Sequence, residues 1–302
     1  MTKNLSIAGI LFLLMTFSSC VKDGVDECPT GQVRLNFYAE RFKNRFEDPL
    51  ADREEKFCAV VKHLRYFLYK DGALFRQQII PNFDDKDINC YTLSLNDLEY
   101  GDYQIVVVGN STRIALAGDP VNPANLMITY PGFADTEDYF TTSFPFNVSS
   151  PETKNYDVGM SRVHGVVRYS FRNMPEDVSN FMVAMENVSM RRWVTGEYEE
   201  IGRAFNTFIF SAPTTRQASA NEEYVIGTFP TLADHRSAYH LSLYRQGETE
   251  PYITHLVGDT FNIRRNQLLD ITTIFEDGNV RFEVNMDSEW GGSLPNPGVE
   301  LD

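Results

Sequence analysis

The sequence predicts an all-β chain folded as two tandem β-sandwich domains, and three observations carry that expectation. Apolar residues recur with a period of two over short runs between Gln32 and Met286. Turn dipeptides separate some of these runs, Asp71-Gly72 and Asp277-Gly278 most clearly, and supply the positive φ of a tight hairpin. No stretch reads as a secure helix longer than about two turns.

The N-terminus stands apart. Lys3 precedes an apolar run from Leu5 to Met15, and Phe17-Ser18-Ser19-Cys20 closes it. The run is shorter than the roughly 20 residues that span a bilayer as a helix, and its flanks are those of a secretory signal. Two small residues directly before a cysteine resemble the bacterial lipobox, with Phe17 where an aliphatic residue is usual. That resemblance implies cleavage before Cys20 and acylation of its thiol, so residues 1–19 are read as signal peptide. Two or three acyl chains anchor stably where one does not. Residues 20–29, with Asp23, Asp26 and Glu27, read as a lipidated polar tether. Acids just after the cysteine also resemble a surface-export signal.

Within residues 30–158, the expected first domain, Val33, Leu35 and Phe37 alternate with Arg34 and Asn36 as a half-buried strand. Residues 41–57 read as a loop with a short helical turn near 52–57. Val60 to Tyr69 and Leu74 to Ile80 form a hairpin around Asp71-Gly72. From Leu98 to Asn110 the apolar run becomes continuous, which places a strand at the centre of a sheet with both faces covered. Residues 111–158 contain five prolines and read as long loops with one or two irregular strands.

The second domain is expected over 159–290. Val163, Gly165, Val167, Tyr169 and Phe171 share one face of its opening strand, with His164, Arg168, Ser170 and Arg172 mostly on the other. Further strands are expected at 181–188, 206–210, 224–229, 239–244, 254–257, 267–275 and 280–286. Residues 291–302 read as a flexible tail or an extended arm.

A formal charge of −15 disfavours nucleic acid as a partner, because an acidic surface repels phosphate backbones. With Cys20 acylated, Cys28, Cys58 and Cys90 leave room for one disulfide in an oxidising compartment, with the pairing open. No catalytic signature for hydrolase, phosphate-binding or zinc chemistry is present, and none of the cysteines forms a CxxC pair. His235 and His240 read as surface residues. Asp85-Lys86-Asp87-Ile88-Asn89 fails as a calcium loop, with Cys90 where glycine is needed and Asn96 where glutamate is needed. The chain is therefore read as a non-enzyme without a cofactor. Its many Tyr and Phe residues fall at strand spacing and suit packing better than a sugar platform.

Three motifs in order carry a family resemblance. Asp26-Glu27-Cys28-Pro29 after the lipobox, Gly101-x-Tyr103 through Gly109-Asn110, and His164-Gly165-Val166-Val167 together resemble the FimB/Mfa2 family of fimbrial anchoring subunits in Bacteroidales. Val108 stands where that family often has Trp. The resemblance implies transthyretin-like sandwiches, an outer-membrane lipid anchor on Cys20, and a place at the base of a fimbrium, holding the fibre and limiting its length. Its implied partners are fimbrial subunits, joined by strand donation. The alternative is a surface glycan-binding lipoprotein, for which an exposed shelf of aromatics is expected.

Overall fold

The structure is a computed structural model describing residues 29–40, 50, 56–81, 83, 90–110, 116–129, 138–209, 222–232, 235–277, 279–288 and 290. The signal segment, Cys20, Cys28, most of the 41–57 loop, the 85–89 segment and the 291–302 tail lie outside the described residues.

The chain is all-β. In the first half, β1 (Thr30–Ala39), β2 (Leu64–Lys70), β3 (Ala73–Ile80), β4 (Tyr91–Glu99), β5 (Gly101–Gly109), β8 (Phe140–Val148) and β9 (Thr153–Arg162) form one seven-stranded path, ordered β3-β2-β5-β8-β9-β1-β4. β8 and β9 pair only at Phe140–Arg162 and Thr141–Ser161, so the path folds there into two layers. Val33, Leu35 and Phe37 of β1 face Leu64, Tyr66 and Leu68 of β2 and Tyr103, Ile105 and Val107 of β5 across the core. The alternation of β1 is what its sequence predicts.

The Asp71-Gly72 hairpin also forms as expected, with φ of 49° and 80° at the two residues. Most of the helical turn expected near 52–57 lies outside the described residues; a turn is present at α1 (Phe57–Val60), and Val60 is therefore not in the strand expected to begin there. Its period misleads because Phe57, Cys58 and Val60 all turn inward to close one end of the core.

The second half has two sheets. One is β13 (Glu222–Thr228), β10 (Gly165–Arg172), β16 (Leu268–Glu276) and β17 (Asn279–Asp287), in that order. The other orders β15 (Ile253–Phe261), β14 (Ser237–Arg245) and β11 (Val178–Trp193), and continues into β7 (Met127–Thr129) and β6 (Leu116–Ala117) from the first half. β12 (Tyr198–Ile209) pairs along the other side of β11.

The two halves repeat one wiring. β1 lies antiparallel to β4 and parallel to β9, and β10 lies antiparallel to β13 and parallel to β16. β2 pairs with β3 and β5, and β5 with β8; β11 pairs with β12 and β14, and β14 with β15. β17 has no counterpart in this correspondence. The division expected after residue 158 falls inside β9, which runs to Arg162 and keeps its ladder with β1 through Met160.

The expected two-faced character of β10 differs in one respect: seven of its eight residues are buried. Its polar face is covered. Arg168 donates to Asp270 on β16 through Nε at 3.0 Å and Nη2 at 2.8 Å, and to Glu223 on β13 through Nη1 at 2.9 Å. Trp290 then closes over Val166 and Leu268.

Candidate functional site

β5 must leave the sheet after Gly109, and the next residue, Asn110, takes φ of 59°. Asparagine tolerates that left-handed geometry better than most residues. Its side chain is buried and fully used: Oδ1 accepts the Lys62 amide at 2.8 Å, and Nδ2 donates to the carbonyls of Val60 at 2.9 Å and Asp138 at 2.6 Å. The Gly109-Asn110 pair is thus a splice between β5, the approach to β2 and the segment before β8. Upstream, Gly101 has φ of 150°. The Tyr103 hydroxyl reaches back to the Glu99 carbonyl at 2.9 Å while its ring stacks on Phe146, an arrangement like a tyrosine corner.

Asp138 carries the splice into the second half. Its Oδ1 lies 2.8 Å from Arg162 Nε, and its Oδ2 accepts from Arg162 Nη2 at 3.2 Å. His164 Nε2 lies 3.2 Å from the same Oδ1. Arg162 Nη1 donates to Asn266 Oδ1 at 2.9 Å, between β15 and β16. The guanidinium is also covered by aromatic faces, 4.4 Å from the Trp290 ring centroid and 5.8 Å from that of Phe140. Burial presses the Arg162 pKa down and Asp138 pushes it back up. Gly165 follows, where a Cβ would sit 2.5 Å from the Arg264 carbonyl. Motifs that read as separate strand signals are therefore one interdomain clamp.

An apolar contact supports it. Phe67, Tyr69, Val106 and Val108 on the outer face of the β2/β5 layer pack with Val163, Val194 and Phe229 of the second half. This is why the Leu98–Asn110 run is continuous: its strand is covered on both sides, as predicted. Leu126 and Ile128 fill the same seam, and β7 pairs with the end of β11 at Arg191–Trp193. The 111–158 segment, expected as long loops with one or two irregular strands, thus contributes a short ribbon to the other domain's sheet, as well as β8 and the start of β9. Sequence reasoning missed the clamp because Asp138, Arg162 and Trp290 are distant in the chain.

Cys20, the expected lipid site, lies outside the described residues, and the described chain enters β1 from Pro29. Cys58 is buried on α1, Cys90 is exposed, and the two are not bonded to each other. His240 lies 3.6 Å from Glu186, and His235 sits in a turn before β14. Among the described residues there is no metal-competent group of three or more His, Cys, Asp or Glu side chains, and no helix long and apolar enough to cross a membrane. The sheet edges offer surface. β3 leaves one side of its ladder open and exposes Phe75 and Ile79, while β17 forms the edge beside β16.

No protein-family model and no curated protein matches the sequence. Solved structures do match its fold. A candidate adhesin from Bacteroides thetaiotaomicron superposes with a TM-score of 0.57 at 12% identity, covering 87% of this chain and 99% of that one. A candidate polysaccharide-binding protein from the same organism gives 0.57 at 11%, covering 86% and 96%. The fimbrial anchor protein Mfa2 from Porphyromonas gingivalis gives 0.52 at 10%, covering 85% and 97%. The chain therefore has a FimB/Mfa2-like fold, as the motif resemblance implies.

Proposed function

We propose that this chain, having the fold of a fimbrial anchor, acts as a fimbrial anchor or accessory subunit. In this reading a lipid on Cys20 tethers it to the outer membrane, and its body holds the base of a fimbrium and limits the fibre's length. The observation that carries the reading is the likeness of fold to Mfa2 over nearly the whole of both chains. The lipobox-like Ser18-Ser19-Cys20 and the clamp support it, since a load-bearing link gains from two domains that cannot hinge freely. Fimbrial subunits join it by strand donation in this reading, which open sheet edges such as those at β3 and β17 support.

Cys20→Ala tests this directly. The expected result is fimbriae shed into the medium with this subunit at one end. Fimbriae that never co-purify with the chain, and that stay attached after its deletion, would overturn it.

A second reading, a surface glycan-binding lipoprotein, is favoured by a polar cleft between the domains. The aromatic shelf expected for it is not formed among the described residues, where the exposed aromatics Tyr38 and Phe75 sit on β1 and β3 with four strands between them.

A further inference from the structure

Beside the clamp, the two domains enclose a cleft of about 620 Å³. One wall comes from β8 and β9, with Thr141, Ser143 and Ser161. The other comes from the β11–β12 hairpin and the segments holding Thr231 and Arg265. Its size is that of a small-molecule site, and its lining is rich in hydroxyls.

Two buried groups in this cleft are left short of partners. The Thr141 hydroxyl and the Arg192 Nε both lack a hydrogen bond, although Thr141 is 2% and Arg192 4% exposed. Arg192 reaches the Trp193 carbonyl through Nη1 at a long 3.4 Å, and its guanidinium carbon lies 5.3 Å from the Tyr198 ring centroid. Tyr198 is no counter-ion: its hydroxyl donates to the Val163 carbonyl at 2.5 Å, and burial keeps it protonated. Burial lowers the Arg192 pKa most; Tyr198 raises it, by charge and by a side-chain hydrogen bond, and a second cation, Arg265, lowers it. Glu40 lines the cleft but accepts from Ser161 at 2.7 Å, and Glu197 sits on the exposed hairpin tip; neither acts on Arg192. A buried arginine without an anion is costly.

We propose that the interdomain cleft binds a carboxylate-bearing saccharide, with Arg192 and Arg265 taking the carboxylate and the Thr141, Ser143 and Thr231 hydroxyls meeting the sugar hydroxyls. This rests on the second reading and leaves the anchor reading untouched. Guanidinium pairs with carboxylate through two parallel hydrogen bonds, and the Nε that lacks a partner is one of the donors such a pair uses. A saccharide suits the cleft better than a protein carboxylate because Tyr198 is its one aromatic lining residue, Val194 and Leu232 supply its aliphatic lining, and hydroxyls make up much of the rest.

The test is calorimetric titration of the full chain with methyl glucuronide, methyl glucoside and a blocked aspartyl peptide, alongside a panel of neutral and acidic glycans. Acidic saccharides are expected to bind about tenfold or more tighter than their neutral counterparts, and Arg192→Gln and Arg265→Gln to lose that preference. Unliganded Arg192→Gln is expected to melt no lower than the parent, since it removes an uncompensated charge. Glycan binding that is equal for neutral and acidic forms and insensitive to Arg192 overturns the cleft assignment while the glycan-binding reading stands. Binding to no glycan overturns both. Tighter binding of the aspartyl peptide than of the uronide also overturns the saccharide. If Arg192→Gln melts well below the parent and Arg265→Gln keeps full affinity for the uronide, the arginines are structural and the proposal fails.

Discussion

Asp138 and Arg162 face each other fork to fork, Oδ1 at 2.8 Å from Nε and Oδ2 at 3.2 Å from Nη2, where the first domain gives way to the second. Their side chains are 5% and 0% exposed, so neither charge has water to fall back on.

Asp138→Asn should therefore cost about 3–5 kcal/mol, because it strands the Arg162 charge in the interior. Asp138→Leu combined with Arg162→Met should recover most of that loss. Urea denaturation of the two variants checks both expectations, and equal loss in the single and double variants would contradict them.

Asn110→Ala removes three hydrogen bonds and forces alanine into a left-handed conformation. The expected loss is about 3 kcal/mol or more. Asn110→Gly should lose less, since glycine accepts the φ of 59° and only the side-chain bonds go. The order of the two melting temperatures is the measurement.

Trp290→Ala uncovers Val166 and Leu268 and takes one aromatic face from Arg162. A loss of about 3–5 kcal/mol is expected. Faster proteolytic cleavage between β17 and the C-terminus should accompany it.

His63 supplies a pH dependence. Burial, and then the neighbouring Lys62, lower its pKa below the ordinary 6.5, so the folded chain resists the proton that the unfolded chain accepts. Its contribution to stability is full above pH 6.5 and is lost as pH falls from there to the depressed folded value. His63→Gln should flatten the stability profile across that window, measured by denaturant midpoints at stepped pH.

How far the sequence spoke depended on how local each cause was. The alternation of Val33, Leu35 and Phe37 and the Asp71-Gly72 turn arise from neighbouring residues, and both formed as expected. The Leu98–Asn110 run announced a covered strand but not its cover, which comes from Val163, Val194 and Phe229. Alternation put Arg168 on the face opposite Val167 and Tyr169 but gave no sign of what covers it. Its carboxylate partners lie on strands 55 and 102 positions away. The cleft arginine was illegible for the same reason: Arg192 ends a strand whose tip meets the other domain.

The ladder on both sides of β1 has a mechanical consequence. A pull at Pro29 along β1, resisted from the far end of the chain, would have to slide that strand past β4 and β9 together, breaking many hydrogen bonds at once. An edge strand pulled sideways would give way one bond at a time. A body strung this way behaves like a rivet under tension, and its rupture force should be set by the flanked opening strand before any other part of the fold.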